Sequence, residues 1–359
     1  MSSSSQSDLM AQAIVEGSKG VGLTAPNPSV GAVVVREGKI VARGFHRGVG
    51  QPHAEIEAIA DADRKGVNLK ECEIFITLEP CSSYGRTPPC TAALIANGFR
   101  RVVWAADDPN PNHSGRAWEI LRDAGIEVDR GLLAEEAAYL HRAFFKVQRK
   151  GLPWLIVKTA MSLDGRLTRP PGEGQWLTSP SAREDVQKLR GEADAILTSG
   201  ETARSDNPRL NYRGPRAEKK QLKRVVLTRI PEAGLSAGAH LLNPTESGPT
   251  RFEGGDIEQI LRNLAQEGIQ TILVEAGGRL VGDLLKLGLV DEWVAYYAPL
   301  VSGGPVPSVG GGQESHLPRP LSLKNLVYEQ VGPDLKVRGL IGPQLLKKSE
   351  SLRRKGETE

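Results

Sequence analysis

The chain is short of cysteine, of aromatic residues, of net charge and of long apolar runs, and each shortage closes off a class of protein. Its 359 residues include three cysteines, Cys72, Cys81 and Cys90. These cannot pair off as the disulfide framework of a secreted domain, so thiol chemistry in a reducing, cytoplasmic setting is expected. Aromatic residues make up 5% of the chain, which gives few platforms for stacking bases. Acidic and basic residues nearly cancel, at a net +3. Much of the basic excess lies in Lys347, Lys348, Arg353, Arg354 and Lys355, a solvated tail rather than a stripe for nucleic acid. Nucleic acid is therefore not an expected partner. No apolar run approaches the ~20 residues that cross a bilayer, and the opening MSSSSQSD has no apolar leader core, so no membrane association is expected. There is no internal repeat. G-x-G-x-x-G is also absent, and with it the usual dinucleotide fingerprint of the doubly wound fold.

What is present concentrates in Thr77 to Cys90, TLEPCSSYGRTPPC. The apolar run Ile74-Phe75-Ile76 reads as a strand that ends at Glu79-Pro80, with Cys81 next. The following loop is too polar for core and too rich in proline for helix. Upstream, His53-Ala54-Glu55 follows Pro52. One imidazole and two thiolates, His53, Cys81 and Cys90, make three zinc ligands and leave a fourth position for water. That is the open pattern of a catalytic zinc, not the closed set of a structural one. Glu55 would stand near the water rather than on the metal. Zinc deaminases carry H-x-E followed by P-C-x-x-C. Here H-A-E and P-C are present, but the second cysteine comes late.

Length and a 39% hydrophobic content allow two domains. In the first half, residues 1–7 are expected to be disordered and Asp8 to cap a helix through about Lys19. A hairpin of 31–35 with 39–44 should turn at Glu37-Gly38. A helix after Pro52 should carry His53 and Glu55 in its first turn and pack Ile56, Ile59 and Ala60 on a sheet. Strand 73–77, a helix opening at Cys90 and further alternating strands and helices to Phe145 complete an α/β sandwich. The boundary falls near Arg149-Lys150-Gly151. Beyond it, strands are expected at 154–159, 195–198, 225–228, 271–275 and 292–298, helices at 181–190, 257–266 and 280–287, and a hairpin at 323–340. Residues 202–213 read as a polar loop and 234–255 as an unpatterned surface segment. The strand–Gly277-Gly278–helix passage in LVEAGGRLVG offers backbone N–H groups to a diphosphate.

HAE together with TLEPCSSYGRTPPC resembles the deaminase half of the bifunctional riboflavin-biosynthesis deaminase/reductase (RibD-type) family, which has the long Cys-to-Cys loop. KTAMSLDGR, QWLTSP, the DNP turn at Asp206, VEAGG and YAPL resemble its reductase half in the expected order. The likeness runs from about residue 8 to about 340. It implies an α/β chain: a cytidine-deaminase-like three-layer α/β/α domain over 1–149 and a dihydrofolate-reductase-like α/β domain over 150–345, with a disordered basic tail at 346–359. It implies zinc on His53, Cys81 and Cys90, Glu55 as proton shuttle, and Asn27, His46 and Arg86 as contacts for the deaminase substrate. It places NADPH against Ala160, Trp176, Thr202, Asp206 and the run Gly277, Gly278, Arg279, Leu280, Val281, Gly282 and Asp283. The reductase substrate falls to Gly174, Arg190, Leu210, Arg213 and Glu275. Lys158 reads as an edge charge on a strand. Ser83 stands where the family usually has histidine, and Gly174 where many members have serine.

The implied substrates are phosphoribosylaminopyrimidines, deaminated at the ring and then reduced from ribosyl to ribityl. A homo-oligomer is left open. Two other readings compete. A zinc deaminase of another nucleobase or of tRNA with an idle second domain would not need the long cysteine loop or the ordered reductase motifs. A non-catalytic zinc-stabilised nucleotide-binding module would want a fourth protein ligand, and the one remaining cysteine, Cys72, lies at the far end of the strand.

Overall fold

The computed structural model describes residues 3–342 apart from 85–87, 111–114, 175, 219, 245–247, 311–316 and 318–319. The tail expected at 346–359 lies outside the described residues. These residues form two compact units, 3–149 and 150–342.

In the first unit the order is α1 (Ser3–Ser18), β1 (Gly31–Arg36), β2 (Lys39–Phe45), α2 (Ala54–Arg64), β3 (Glu73–Leu78), α3 (Cys90–Ala96), β4 (Arg101–Ala106), α4 (Arg116–Asp123), β5 (Glu127–Arg130), α5 (Ala134–Leu140) and α6 (Arg142–Lys150). The five strands lie in the order β2-β1-β3-β4-β5. The β1–β2 hairpin is antiparallel, and its turn residues Glu37 and Gly38 both have positive φ, 51° and 77°, which matches the twist of the flanking strands. Strands β3, β4 and β5 are parallel.

Every residue of β3 is buried, because helices cover both faces of the sheet. Val34, Ile74, Ile76 and Trp104 pack with Ala58, Leu94 and Leu121 on one side. Val33, Phe75 and Val103 pack with Met10, Ala13, Ala137 and Phe145 on the other. The unit is thus three layers, α/β/α.

Two local expectations are corrected, and one helical stretch proves to be divided. Helix α1 begins at Ser3, with Asp8 inside it rather than capping it. The serine run contains no proline or glycine to stop a helix that Leu9, Met10 and Ala13 anchor in the core. The buried face of α2 is Ala54, Glu55, Ala58, Ile59 and Ala62, so Ile56 and Ala60 sit at its margin. The reason is close approach: a Cβ on Gly44 of β2 would meet the Ala54 carbonyl oxygen and the Ala58 nitrogen, each at 2.3 Å. Only small residues fit where helix backbone lies on strand backbone. Finally, the helical stretch from Ala134 breaks at His141, dividing α5 from α6.

The second unit comprises β6 (Trp154–Ser162), α7 (Pro180–Glu192), β7 (Ala195–Ser199), α8 (Gly200–Asp206), β8 (Lys223–Leu227), β9 (Thr250–Glu253), α9 (Ile257–Gln266), β10 (Thr271–Val274), α10 (Gly278–Lys286), β11 (Glu292–Ala298), β12 (Leu323–Val331) and β13 (Asp334–Ile341). Its eight-stranded sheet has the order β12-β13-β11-β6-β10-β7-β8-β9. The strands from β11 to β9 are parallel, and the terminal hairpin joins antiparallel.

Two segments read as irregular are ordered. Gly200–Asp206 is helical, capped by the Ser199 hydroxyl, which accepts from the Thr202 N–H at 3.1 Å. The stretch 234–255 includes β9 at the sheet edge. Its preceding loop is pinned by the fully buried Arg224, whose guanidinium donates to the carbonyls of His240, Asn243 and Gly248 at 3.2, 2.9 and 2.5 Å. A charge met by backbone carbonyls leaves no pattern in sequence.

Candidate active sites

In the first unit, three chain segments deliver the candidate metal-ligand residues. His53 is the N-cap of α2, Cys90 is the first residue of α3, and Cys81 follows β3 after Glu79-Pro80. Their ligand atoms all lie within 4.8 Å of one another. His53 Nδ1 is 3.6 Å from Cys81 Sγ and 3.3 Å from Cys90 Sγ. The Cys90 backbone N–H donates to Cys81 Sγ at 3.2 Å, as a helix N-terminus does for an anion.

The electrostatics match that arrangement. The hydrogen bond with Cys90 and then the proximity of His53, working against burial, hold the Cys81 thiol down at about 4, and so as thiolate. Cys90, bonded to that sulfur and more deeply buried, is pushed up. The hydrogen bond to Cys81 lifts His53 to about 8. One imidazole and two sulfurs converging in this way are a donor set suited to zinc. Three ligands leave one position of a tetrahedron open.

Glu55 stands in the first turn of α2 and is 3% exposed. Burial, and then the charge of Cys81, push its carboxyl up to about 7. His46 lies beside His53, with ring centroids 5.6 Å apart, edge to face. Asn27 Nδ2 is 3.1 Å from His46 Nε2. Arg86 lies outside the described residues. Sequence reading passed over Glu79, which is 4% exposed and accepts from the backbone N–H groups of Asp108, Gly115 and Ala117 at 3.2, 3.1 and 3.3 Å. Its signal was its place in a buried strand end, where an acid needs several donors.

The second unit has a cleft of about 1410 Å³. Ala160, Gly174, Trp176, Arg190, Thr202, Asp206, Leu210, Arg213, Glu275, Gly277, Gly278, Arg279, Leu280 and Asp283 all line it. Val281 and Gly282 do not: Val281 is fully buried, and Gly282 faces the Gly310 backbone. Gly278 is a packing requirement, since a Cβ there would meet the Pro307 carbonyl oxygen at 2.2 Å. Gly277 is the N-cap of α10 without a side-chain cap, and its own N–H donates to Thr202 Oγ1 at 3.1 Å. The next N–H groups of the helix are thus the ones available to an anion.

On the cleft wall, Glu275 follows β10 and receives a two-pronged bond from Arg190 at 2.7 and 3.1 Å. Burial works to raise the Glu275 carboxyl, but Arg190 and Lys158 hold it at about 2. Lys158 Nζ is 3.8 Å from Glu275 Oε2, and burial lowers its pKa. Lys158 is not at an edge: β6 pairs with β10 on one side and β11 on the other. A lysine inside WLIVKTAMS on a central strand was the signal that sequence reading set aside.

Comparison with known proteins follows the same division. The model of the cytidine and deoxycytidylate deaminase zinc-binding region matches residues 3–106. The RibD C-terminal domain model matches residues 153–337. The riboflavin biosynthesis protein RibD of Haemophilus influenzae is 39% identical over 323 residues, 82% of this chain and 86% of that protein. RibD of Escherichia coli K12 is 39% identical over 324 residues, 82% of this chain and 88% of its own. Among solved structures, Acinetobacter baumannii RibD (form 1) superposes with a TM-score of 0.85 at 34% identity, covering 95% of this chain and 100% of that one. The Thermotoga maritima diaminohydroxyphosphoribosylaminopyrimidine deaminase/5-amino-6-(5-phosphoribosylamino)uracil reductase gives 0.82 at 32% identity, covering 95% and 99%.

Proposed function

The chain belongs to the RibD family of bifunctional riboflavin-biosynthesis enzymes, and from that premise we propose which of its residues carry each activity. It is a zinc-dependent deaminase and an NADPH-dependent reductase. The first reaction removes an amino group from 2,5-diamino-6-(5-phosphoribosylamino)pyrimidin-4-one. The second reduces the ribosyl group of the deaminated product to ribityl.

His53, Cys81 and Cys90 hold the zinc. Zinc bound there supplies a Lewis acid that makes water nucleophilic near neutral pH. Glu55 carries the proton traffic. With its carboxyl raised to about 7 it exchanges a proton in either direction at neutral pH. It accepts one from the attacking water and returns one to the departing amino nitrogen, so water and the amine leave as the ring carbonyl and ammonia. Asn27, bonded to His46 behind it, faces the pyrimidine side of the site.

In the second unit, the first-turn N–H groups of α10 and the residues around Thr202 hold the cofactor diphosphate. NADPH supplies the hydride to C1 of the ribosyl group. That addition also needs a proton. Of the cations at the cleft wall, Arg190 and Arg213 do not release theirs, whereas Lys158 can, and burial makes it readier to do so. Glu275 holds Lys158 and Arg190 in place. Arg213 is left to meet the substrate phosphate. The substrates are small molecules, in keeping with a net charge of +3 and few aromatic residues. Cysteine ligands favour a reducing, cytoplasmic setting, and among the described residues no helix is long and apolar enough to cross a membrane.

The observation that carries the deaminase assignment is the convergence of His53, Cys81 and Cys90 beside a buried Glu55. The test is incubation with the diaminopyrimidinone ribotide, with and without NADPH, following ammonia and NADPH separately. Ammonia release should not require NADPH, and NADPH oxidation should require prior deamination. NADPH consumed without ammonia release would remove the deaminase assignment.

A further inference from the structure

Asn27 and His46 are joined by hydrogen bonds that have a direction. His46 is 2% exposed. Its Nδ1 lies 2.9 Å from the backbone carbonyl oxygen of Pro52. A carbonyl only accepts, so Nδ1 carries the proton. In a neutral imidazole Nε2 is then a bare lone pair, and it lies 3.1 Å from Asn27 Nδ2. The amide N–H₂ is the half of Asn27 that can meet it. If the amide were turned over, its oxygen would face that lone pair. The only escape would be a second proton on His46, a cation 2% exposed with no carboxylate bonded to it. The Pro52 carbonyl therefore sets the tautomer of His46, and His46 sets the rotation of the Asn27 amide.

We infer that His46 is a positioning residue, with both ring nitrogens committed inside the protein. Its work is to hold Asn27 so that Oδ1 presents one hydrogen-bond acceptor to an N–H group of the pyrimidine substrate. Asn27 is half-buried, and no described residue donates to its Oδ1. The resemblance to the family implied substrate contacts for both residues; the geometry leaves only Asn27 free to make a polar one. The contact has a sign. A substrate edge that offers an N–H is accepted, and one that offers only a lone pair is rejected, because it would face Oδ1 unpaired. The consequence for turnover rests on the deaminase assignment above, whereas the tautomer does not.

Two measurements test this. Nitrogen–proton correlation spectra of the zinc-loaded full chain, with His46 assigned by comparison with His46→Gln, should show Nδ1 protonated and Nε2 unprotonated at neutral pH. Protonation of Nε2, alone or together with Nδ1, would overturn the inference. In deamination kinetics, His46→Leu and Asn27→Ala should each raise KM roughly tenfold, the loss of one oriented hydrogen bond, with kcat and zinc content nearly unchanged. The double variant should be no worse than either single one, since one residue acts through the other. Additive losses, or a fall in kcat at constant KM, would mean that His46 touches the substrate itself and would also overturn it. If the native chain released no ammonia, the deaminase assignment alone would fail. The same non-additivity would then be sought in equilibrium binding of the ribotide, with additive losses again counting against the inference.

Discussion

At the scale of single residues, the proposed assignment divides labour in the two sites between groups that hold and groups that move protons. Cys81 and Cys90 hold. Changing either to serine removes a thiolate from a three-ligand set, and the expected result is loss of the roughly one zinc per chain that such a set implies for the native protein, read by metal analysis. Zinc retained in both variants would remove the central claim. Glu55 is assigned the protons, so Glu55→Gln should keep its zinc and lose at least roughly a hundredfold in ammonia release. Lys158 is assigned the corresponding part in the second unit. Lys158→Gln should still bind NADPH, measured by fluorescence, yet lose at least about a hundredfold in NADPH oxidation. A near-native rate would assign the proton to another donor or to water.

At the scale of elements, close backbone approach fixes where the site residues stand. Helix α2, which presents His53 and Glu55, rests on β2 at Gly44. Gly44→Ala would drive a Cβ into two α2 backbone atoms at 2.3 Å, and neither can swing aside as a side chain would. The expected cost is roughly 1–3 kcal/mol or more by chemical denaturation, with weaker zinc retention because α2 shifts. Unchanged stability would mean that the helix rides more loosely on the strand than the geometry requires. The α5–α6 break gives a pH dependence. His141 is 1% exposed, and burial lowers its pKa to about 4 from an ordinary 6.5, against the bond to Thr77. Above pH 6.5 folded and unfolded chains both hold it neutral. Between 6.5 and about 4 the unfolded chain takes up a proton that the folded one refuses, so stability falls as pH falls through that window. The loss approaches about 3 kcal/mol at its lower end. Denaturant midpoints across this range should show a slope that a His141→Gln variant lacks.

At the scale of the whole molecule, two units with separate sheets and separate cores imply two folding problems. A fragment beginning at Lys150 is expected to fold alone and to oxidise NADPH when given the deaminated substrate. A soluble fragment that binds neither cofactor nor substrate would count against placing the reductase in residues 150–342.

The chemistry of the first site was legible because it depends on residue types at short spacings. H-A-E at a helix start, P-C at a strand end and a second cysteine opening another helix point to three candidate ligands and a candidate base before any fold is known. The alternation of strand and helix likewise exposed both α/β units, since a parallel sheet covered on both faces writes apolar runs such as Ile74-Phe75-Ile76. Other features depended on contacts distant in sequence. Helix α8 carried a local signal, Ser199 capping the Thr202 N–H three residues on, which the polarity of the segment masked; its place against Gly277 is a contact 75 residues away. Strand β9 was hidden because the loop before it is fixed by Arg224 and not by its own pattern. Lys158 could be moved from sheet edge to sheet centre only by the strand order. The sequence by itself determined which atoms could bind zinc and carry protons, because that is a property of side-chain type. Only the tertiary structure decided which way they face, whether water reaches them and so what charge they hold, because burial and hydrogen-bond direction are set by neighbours far away along the chain.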